Sequence, residues 1–250
     1  MNRNIRSRCH ERREYLKKLG IIGGLGPWAT AYFYSRVVEL TPALRDQDHI
    51  ETIIYSVPQI PDRTAFLLGE PDAEDPRPAL VDAGRMLAQN GAEVIAIPCI
   101  TAHAFHQEME KGIGLTVMHA IRELGKLCWD TGISKLGILA TDGARLSRIY
   151  DDVLAGYGVT CIWPDKEGQK QVMDMIYGEV KSGKKISEEV FYPVAEGLFS
   201  QGAEAVVLGC TELSQAKAGM KLNDKYIDII DVLASACVRE CRNGTVNTVE

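Results

Sequence analysis

An α/β protein of two pseudo-symmetric domains, each a parallel sheet flanked by helices, is the fold class this sequence predicts. Three observations predict it. Short apolar runs alternate with helical segments along the chain, the pattern of parallel sheets sandwiched by helices. One pattern is written twice: Gly91-Ala92-Glu93-Val94-Ile95-Ala96-Ile97-Pro98-Cys99 and Gly202-Ala203-Glu204-Ala205-Val206-Val207-Leu208-Gly209-Cys210. An earlier echo matches Lys18-Leu19-Gly20-Ile21-Ile22 with Lys135-Leu136-Gly137-Ile138-Leu139. A repeat of so long a period means two similar domains, since solenoid units run ~20–50 residues. Two halves facing each other bring a thiol to one cleft from either side. That geometry suits removing a proton on one face and delivering it on the other.

The elements follow in order. Leu19–Gly23 is short and apolar, a buried strand. Pro27 suits a first helical turn and opens a helix to Leu40, which Thr41-Pro42 ends. Glu51–Val57 is a second strand, and prolines mark loops at 58–63 and 70–78. A helix over Ala79–Asn90 stops at Gly91. Strand Val94–Ile97, helix Thr101–Lys111, strand Leu115–Met118 and helix Ala120–Thr131 complete the first half. The second half has strands at Leu136–Ala140, Val159–Ile162, Glu204–Leu208 and Tyr226–Ile230. Its helices lie at Ala144–Ala155, Gln169–Lys181, Glu188–Ser200 and Val232–Cys241. The second half has surplus elements, so the last strand and helix are expected to return to the first domain. The division is then an arm at 1–17, a first domain of 18–118 with 220–250, and a second of 119–219.

Bulk properties agree with a soluble enzyme. Hydrophobic residues make up 46% and charged residues 25% of the 250, ordinary globular values. A chain this long buries a sizeable core without staples. The net charge of −6, with no basic stripe, argues against a nucleic-acid partner. No apolar stretch reaches the ~18 residues of a membrane span. The first 18 residues carry Arg3, Arg6, Arg8, Arg12 and Arg13 without an apolar h-region, so they read as a solvated, partly disordered arm and not a secretory signal. Seven widely spaced cysteines read as reduced cytosolic thiols.

Gly24-Leu25-Gly26-Pro27-Trp28-Ala29 follows a strand and opens a helix, the form of a dinucleotide fingerprint. Pro27 lacks the donor a pyrophosphate wants, and no acidic residue ends the second strand to hold a ribose. The loop reads instead as a tight turn or a contact to a small substrate. His103 and His106 have metal-ligand spacing but no third ligand nearby in sequence, and read as structural. Cys9, Cys128, Cys161, Cys237 and Cys241 read as core residues. Cys99 and Cys210 differ. Both lie at a strand-to-helix turn, where a helix N-terminus favours the thiolate. Thr101 and Thr211 follow them within two residues.

Gly23-Gly24-Leu25-Gly26-Pro27-Trp28-Ala29-Thr30, Pro98-Cys99-Ile100-Thr101-Ala102-His103 and Gly209-Cys210-Thr211-Glu212-Leu213 resemble the three signature blocks of the aspartate/glutamate racemase family. The likeness runs through nearly the whole chain from Leu19. It implies a cofactor-independent racemase with its active site in an interdomain cleft, cytoplasmic and homodimeric. One cysteine thiolate takes the Cα proton and the other thiol protonates the opposite face. Thr211-Glu212 resembles the aspartate branch; glutamate racemases usually carry Thr-His there. Arg63 matches an arginine set against the substrate's side-chain carboxylate, and arginine offers such a group a bidentate fork. Lys170 resembles a second carboxylate-binding lysine. Gly24, Gly26, Gln59, Ile100, Thr101, Thr141, Thr211 and Glu212 are the other expected substrate contacts.

Two departures stand out. The family usually has Pro-Cys-Asn-Thr, where this chain has Ile100, and it places a second threonine where this chain has Ala144. The expected pocket is smaller and more apolar. No pyridoxal motif or metal cluster is visible, so the bases must be desolvated and aimed. Two such thiols titrate as a coupled pair. The expected substrate is an acidic amino acid, aspartate ahead of glutamate. Alternatives are hydantoin racemisation, maleate isomerisation or malonate decarboxylation, the last needing only one cysteine. A non-catalytic dicarboxylate-binding protein and a Cys99–Cys210 thiol–disulfide switch are further alternatives.

Overall fold

The computed structural model describes residues 15–243; most of the expected arm, Cys9 included, lies outside them. The first half contains β1 (Leu19–Gly23), α1 (Pro27–Leu40), β2 (Thr52–Ser56), α2 (Arg63–Leu68), α3 (Arg77–Gln89), β3 (Val94–Ala96), α4 (His106–Ile113) and β4 (Thr116–Val117). The second contains α5 (Ala120–Thr131), β5 (Lys135–Leu139), α6 (Asp142–Leu146), α7 (Ile149–Ala155), β6 (Thr160–Ile162), α8 (Lys166–Met173), α9 (Glu188–Ser200), β7 (Ala205–Leu208), α10 (Ser214–Gly219), β8 (Tyr226–Asp228) and α11 (Ile229–Arg242).

The strands form two parallel four-stranded sheets with the same order, β2-β1-β3-β4 and β6-β5-β7-β8. The sequence echoes fall on equivalent strands. β1 and β5 are the paired centres, and β3 and β7 lead to the two cysteines. The repeated glutamate has the same task in each half. Glu93 Oε2 accepts from the Lys18 backbone N–H at 2.9 Å, and Glu204 Oε2 from that of Lys135 at 3.1 Å. Each carboxylate thus satisfies a backbone donor at the start of the neighbouring central strand.

One apolar core runs through both halves. It joins Leu19, Ile21 and Phe33 of the first to Ile121, Leu136, Ile138 and Tyr150 of the second, with Leu233 and Cys237 of α11 between them. Each fully buried Leu or Ile contributes about 1.5–3 kcal/mol. Smaller cores lie on the outer face of each sheet. Cys128, Cys237 and Cys241 are buried free thiols.

The last strand corrects one expectation. β8 pairs with β7 and extends the second sheet, so it does not return to the first. Only α11 reaches across, packing on both α1 and α5. Hydrophobic patterning marks Tyr226–Asp228 as a strand but carries no record of which sheet edge it joins. Five helical segments also differ. Asp62 caps an unexpected α2 by accepting from Ala65 N–H at 3.0 Å. Ile100–Phe105 is a 3₁₀ turn before α4. Arg148, at φ 55°, breaks the expected 144–155 helix into α6 and α7. After α8 the chain passes through a π-helical turn, Asp174–Glu179, and a 3₁₀ turn, Val180–Ser182. α10, also absent from the sequence expectation, is tied down by the Ser214 hydroxyl donating to Asp228 Oδ1 at 2.5 Å.

His103 and His106 do find a third imidazole, His119, which caps α5; the ring centroids lie 5.2 and 4.6 Å from it. The cluster is nonetheless structural. His103 Nε2 bonds the Ile97 carbonyl at 3.2 Å and His106 Nε2 that of Val117 at 2.7 Å. Burial holds His103 down at about 3 and His119 at about 2. An unfolded chain takes these protons near pH 6.5, whereas the folded one refuses them until far lower. Stability from these groups is therefore full above about 6.5 and is lost as pH falls toward 3, each tenfold difference in proton affinity being worth about 1.4 kcal/mol. Urea midpoints measured from pH 7 to pH 4 should fall steeply, and His103→Gln should flatten the fall. Equal pH slopes in the two proteins would remove the imidazoles from the acid response.

Candidate active site

The site is built from the ends of β3 and β7. β3 runs through Ile97-Pro98 into Cys99, which precedes the 3₁₀ turn at Ile100. β7 runs through Gly209 into Cys210, which precedes the 3₁₀ turn Thr211–Leu213. Gly209 cannot carry a side chain. The Tyr150 hydroxyl donates to its carbonyl at 2.6 Å, and an added Cβ would lie 2.7 Å from that oxygen. The two cysteine turns are joined directly, because the Thr211 hydroxyl donates to the Pro98 carbonyl at 3.2 Å. A second bridge between the halves runs from Thr64 to Thr141, 3.4 Å between hydroxyls.

Cys99 and Cys210 line the same cleft, 4% and 8% exposed. Their neighbours are unlike. Cys99 Sγ lies 3.5 Å from Thr101 Oγ1 and beside the Arg63 guanidinium. Cys210 Sγ–H donates to Glu212 Oε2 at 2.9 Å. Burial pushes the Cys210 thiol well up, and the Glu212 charge pushes it further. Cys210 is thus a thiol at neutral pH, a proton donor beside a carboxylate.

Arg63 is 6% exposed, at the start of α2. Its Nη1 donates to the Pro61 and Ile60 carbonyls at 2.9 and 3.2 Å, while Nε is buried without a partner. A buried unpaired donor costs about 1–3 kcal/mol, so this N–H is poised for an anionic ligand. Burial pulls the guanidinium down, but Cys99, Asp62 and Tyr177 outweigh it and leave it raised, hence charged. Lys181 supplies a second cation. Burial pulls it down too, but Glu212, Tyr177, Cys210 and Asp62 together leave it raised. Its Nζ lies 4.0 Å from the Tyr177 ring centroid and 3.9 Å from Asp62 Oδ2, across the cleft.

Of the residues singled out in the sequence, Cys99, Cys210, Arg63, Ile100, Thr101, Thr141, Thr211 and Glu212 meet in this cleft. Ala144 lines it as well. Gly26 borders it; an added Cβ there would lie 3.2 Å from Glu212 Oε1. Gly24 does not line it. At φ 92°, with Val57 backbone 2.6 Å from any added Cβ, its role is the turn itself. Lys170 and Gln59 are both exposed and outside the cleft. Gln169 is the inward residue of α8, its Nε2 donating to the Ala140 carbonyl at 3.0 Å, so the next position points to solvent. Ile60 anchors the other loop in the core and leaves Gln59 outside. Lys181, not Lys170, is the lysine that lines the cleft. Leu25, Asp62, Thr64 and Tyr177 are further cleft residues that sequence reasoning missed. The Pro-Asp-Arg-Thr run was the available signal for Asp62 and Thr64.

No group of three or more potential metal ligands occurs among the described residues. What the cleft holds is two thiols, two cations, two carboxylates and hydroxyls, a set able to bind an anion and move protons.

Comparison with known proteins places this arrangement. The family model for Asp/Glu/hydantoin racemase matches residues 22–237. The broad specificity amino-acid racemase RacX of Bacillus subtilis is 28% identical over 92% of this chain and 97% of its own length. Among solved structures, the aspartate racemase of Picrophilus torridus superposes with a TM-score of 0.78 at 29% identity, covering 90% of this chain and 94% of its own. A putative Asp/Glu racemase from Yersinia pestis gives 0.75 at 26% identity, covering 90% and 99%. The two-sheet fold, the repeated cysteine turns and the family match agree, and this chain belongs to the Asp/Glu/hydantoin racemase family.

Proposed function

We propose that the protein racemises an acidic amino acid, aspartate ahead of glutamate, without a cofactor, by two-base proton transfer between Cys99 and Cys210. The observation that carries this reading is the meeting of two cysteines, from equivalent points of the repeat, in one buried cleft with Arg63 and Lys181. The aspartate racemase of Picrophilus torridus, similar over nearly the whole chain, supports the substrate class. The family resemblance also supports a cytoplasmic homodimer.

The chemistry follows from the neighbours. An amino-acid Cα–H is very weakly acidic, so the charge that develops as it leaves must be stabilised in a dry site. Arg63 and Lys181 hold the two carboxylates of the substrate and screen that charge. Cys99, beside Arg63, takes the proton from one face. Cys210, a thiol because burial and the Glu212 charge raise it, returns a proton to the other. The reverse reaction exchanges the roles.

A wider substrate range is a second reading, favoured by the apolar lining of Leu25, Ile100 and Ala144. The Bacillus subtilis relative, described as a broad specificity amino-acid racemase, supports it.

Three outcomes are expected. Cys99→Ser and Cys210→Ser should each lower racemisation of aspartate by at least about 100-fold, the scale of one acid–base group; wild-type turnover in either would end the two-base reading. Arg63→Lys should lower kcat/KM for aspartate by about 10- to 100-fold, because the charge stays but the fork is lost. An unchanged value would remove Arg63 from carboxylate binding. Ile100→Asn should raise aspartate racemisation by about 10-fold, the worth of one regained hydrogen bond. A fall from an already efficient wild type would show that another group does the work of the missing amide.

A further inference from the structure

A second cavity lies away from the cysteines, along the edge of the second sheet. β8 is that edge strand. A groove of about 590 Å³ runs between it, α5 and α11, a size that suits a small molecule. Asp228, at the end of β8, is part of its wall and is 3% exposed. Its Oδ1 accepts from the Ser214 hydroxyl at 2.5 Å and from the Ile230 backbone N–H at 2.9 Å. Its Oδ2 is buried and has no partner. A charged acceptor left dry and unpaired is costly, so this oxygen calls for a donor. The cations of the groove do not supply one. Lys126 Nζ and Arg239 Nη2 both go to Glu123, at 2.5 Å each. Asp231 is held by Arg36 of α1 at 2.6 Å. Lys217 turns to the Tyr226 carbonyl at 3.5 Å. Asp130, Asp224 and Asp228 form no ion pair among the described residues.

We infer that this groove binds a linear organic polyamine, with ammonium groups set against Asp228, Asp224 and Asp130. Asp224 and Asp228 flank β8, on the order of 10 Å apart at ~3.3 Å per residue. A single ion cannot reach both, and no group of three or more potential metal ligands occurs among the described residues. A chain of amines joined by methylenes can. Leu127, Ile227 and Val232 of the same wall give the methylenes an apolar surface. Each ammonium N–H to a carboxylate is a charge-assisted bond, the stronger kind. The charged and titratable groups facing Asp228 are Asp231 of α11, Lys217 of α10 and Tyr32 of α1. Burial, with help from Asp231, raises Asp228 to about 6. Burial pushes Tyr32 up to about 12, so it stays neutral. An ammonium favours the carboxylate form, so binding is full above about 6 and weakens as Asp228 takes up its proton below that. The inference is independent of the chemistry at Cys99 and Cys210.

Titration calorimetry of the full chain with spermidine, at neutral pH and physiological salt, tests this. The wild type should bind saturably, one spermidine per chain, and more weakly below the Asp228 titration. Asp228→Asn keeps the size, still accepts from Ser214 and still caps α11, but loses the charge. It should bind spermidine about 10-fold more weakly or worse. Asp72→Asn removes an exposed carboxylate outside the groove and should bind as the wild type does. If Asp228→Asn fails to fold, the double variant Asp130→Asn with Asp224→Asn, both at exposed positions, gives the answer in its place. A loss of about 10-fold there supports the site, and an unchanged affinity overturns it. Absence of saturable binding by the wild type would overturn the inference. So would wild-type affinity in Asp228→Asn, or an equal loss in Asp72→Asn. Displacement of spermidine by magnesium at equal concentration of charge would also overturn it, since that marks diffuse attraction between an acidic protein and any cation.

Discussion

Everything at the site depends on one constraint: the two sheets share a core. Leu19 and Phe33 on one side and Leu136 and Tyr150 on the other pack into a single apolar body with α11 through its middle. Interiors packed to crystal-like density do not slide, so the ends of β3 and β7 are fixed toward one another. The Thr211 hydroxyl bond to the Pro98 carbonyl then locks the two cysteine turns together at the last step. Neither half could present both thiols alone. α11 is what makes the halves one object, which is why it crosses to α1 while its preceding strand stays in the second sheet.

Around this rigid centre the polar groups are arranged to close. Asp62, Arg63 and Thr64 approach from α2, and Tyr177 and Lys181 from the turns that follow α8. The π-helical turn matters here. Such turns break the regular ladder and are common at functional positions. In this chain the turn lets Tyr177 and Lys181 share the cleft, with the ammonium against its own tyrosine's ring. Both cysteines are nearly sealed, and a site so dry strengthens every charge interaction inside it.

The sequence revealed the parts that repeat and concealed the parts that do not. The duplicated Gly-Ala-Glu run marked both sheets, because its glutamate caps a neighbouring strand in each half. It also marked both thiols, since they end equivalent strands. Arg63 was legible through its proline-flanked loop, and Thr101, Thr211 and Glu212 through nearness to a cysteine. Lys181 was not. The helical pattern from Gln169 onward continues smoothly in sequence, but the backbone leaves α-helical geometry after Met173 and re-aims whatever follows. Lys170 is the natural choice on an unbroken helix, yet Gln169 takes the inward face. The sheet that Tyr226–Asp228 joins was hidden for a similar reason: strand character is local, whereas the choice of sheet is made by distant packing.

The unlike neighbours of the two thiols carry a consequence beyond the local chemistry. The fold offers a pseudo-symmetric pair of thiols, while a guanidinium beside one and a carboxylate beside the other break the symmetry. In an achiral solvent two enantiomers have equal free energy, so the specificity constants of the forward and reverse reactions must be identical for any single-site racemase. The broken symmetry therefore cannot drive the reaction one way. It is confined to the balance between turnover and saturation: the hand that is held more tightly is also the one processed more slowly. A cell that needs a net flow toward one hand must create it elsewhere, by consuming that product.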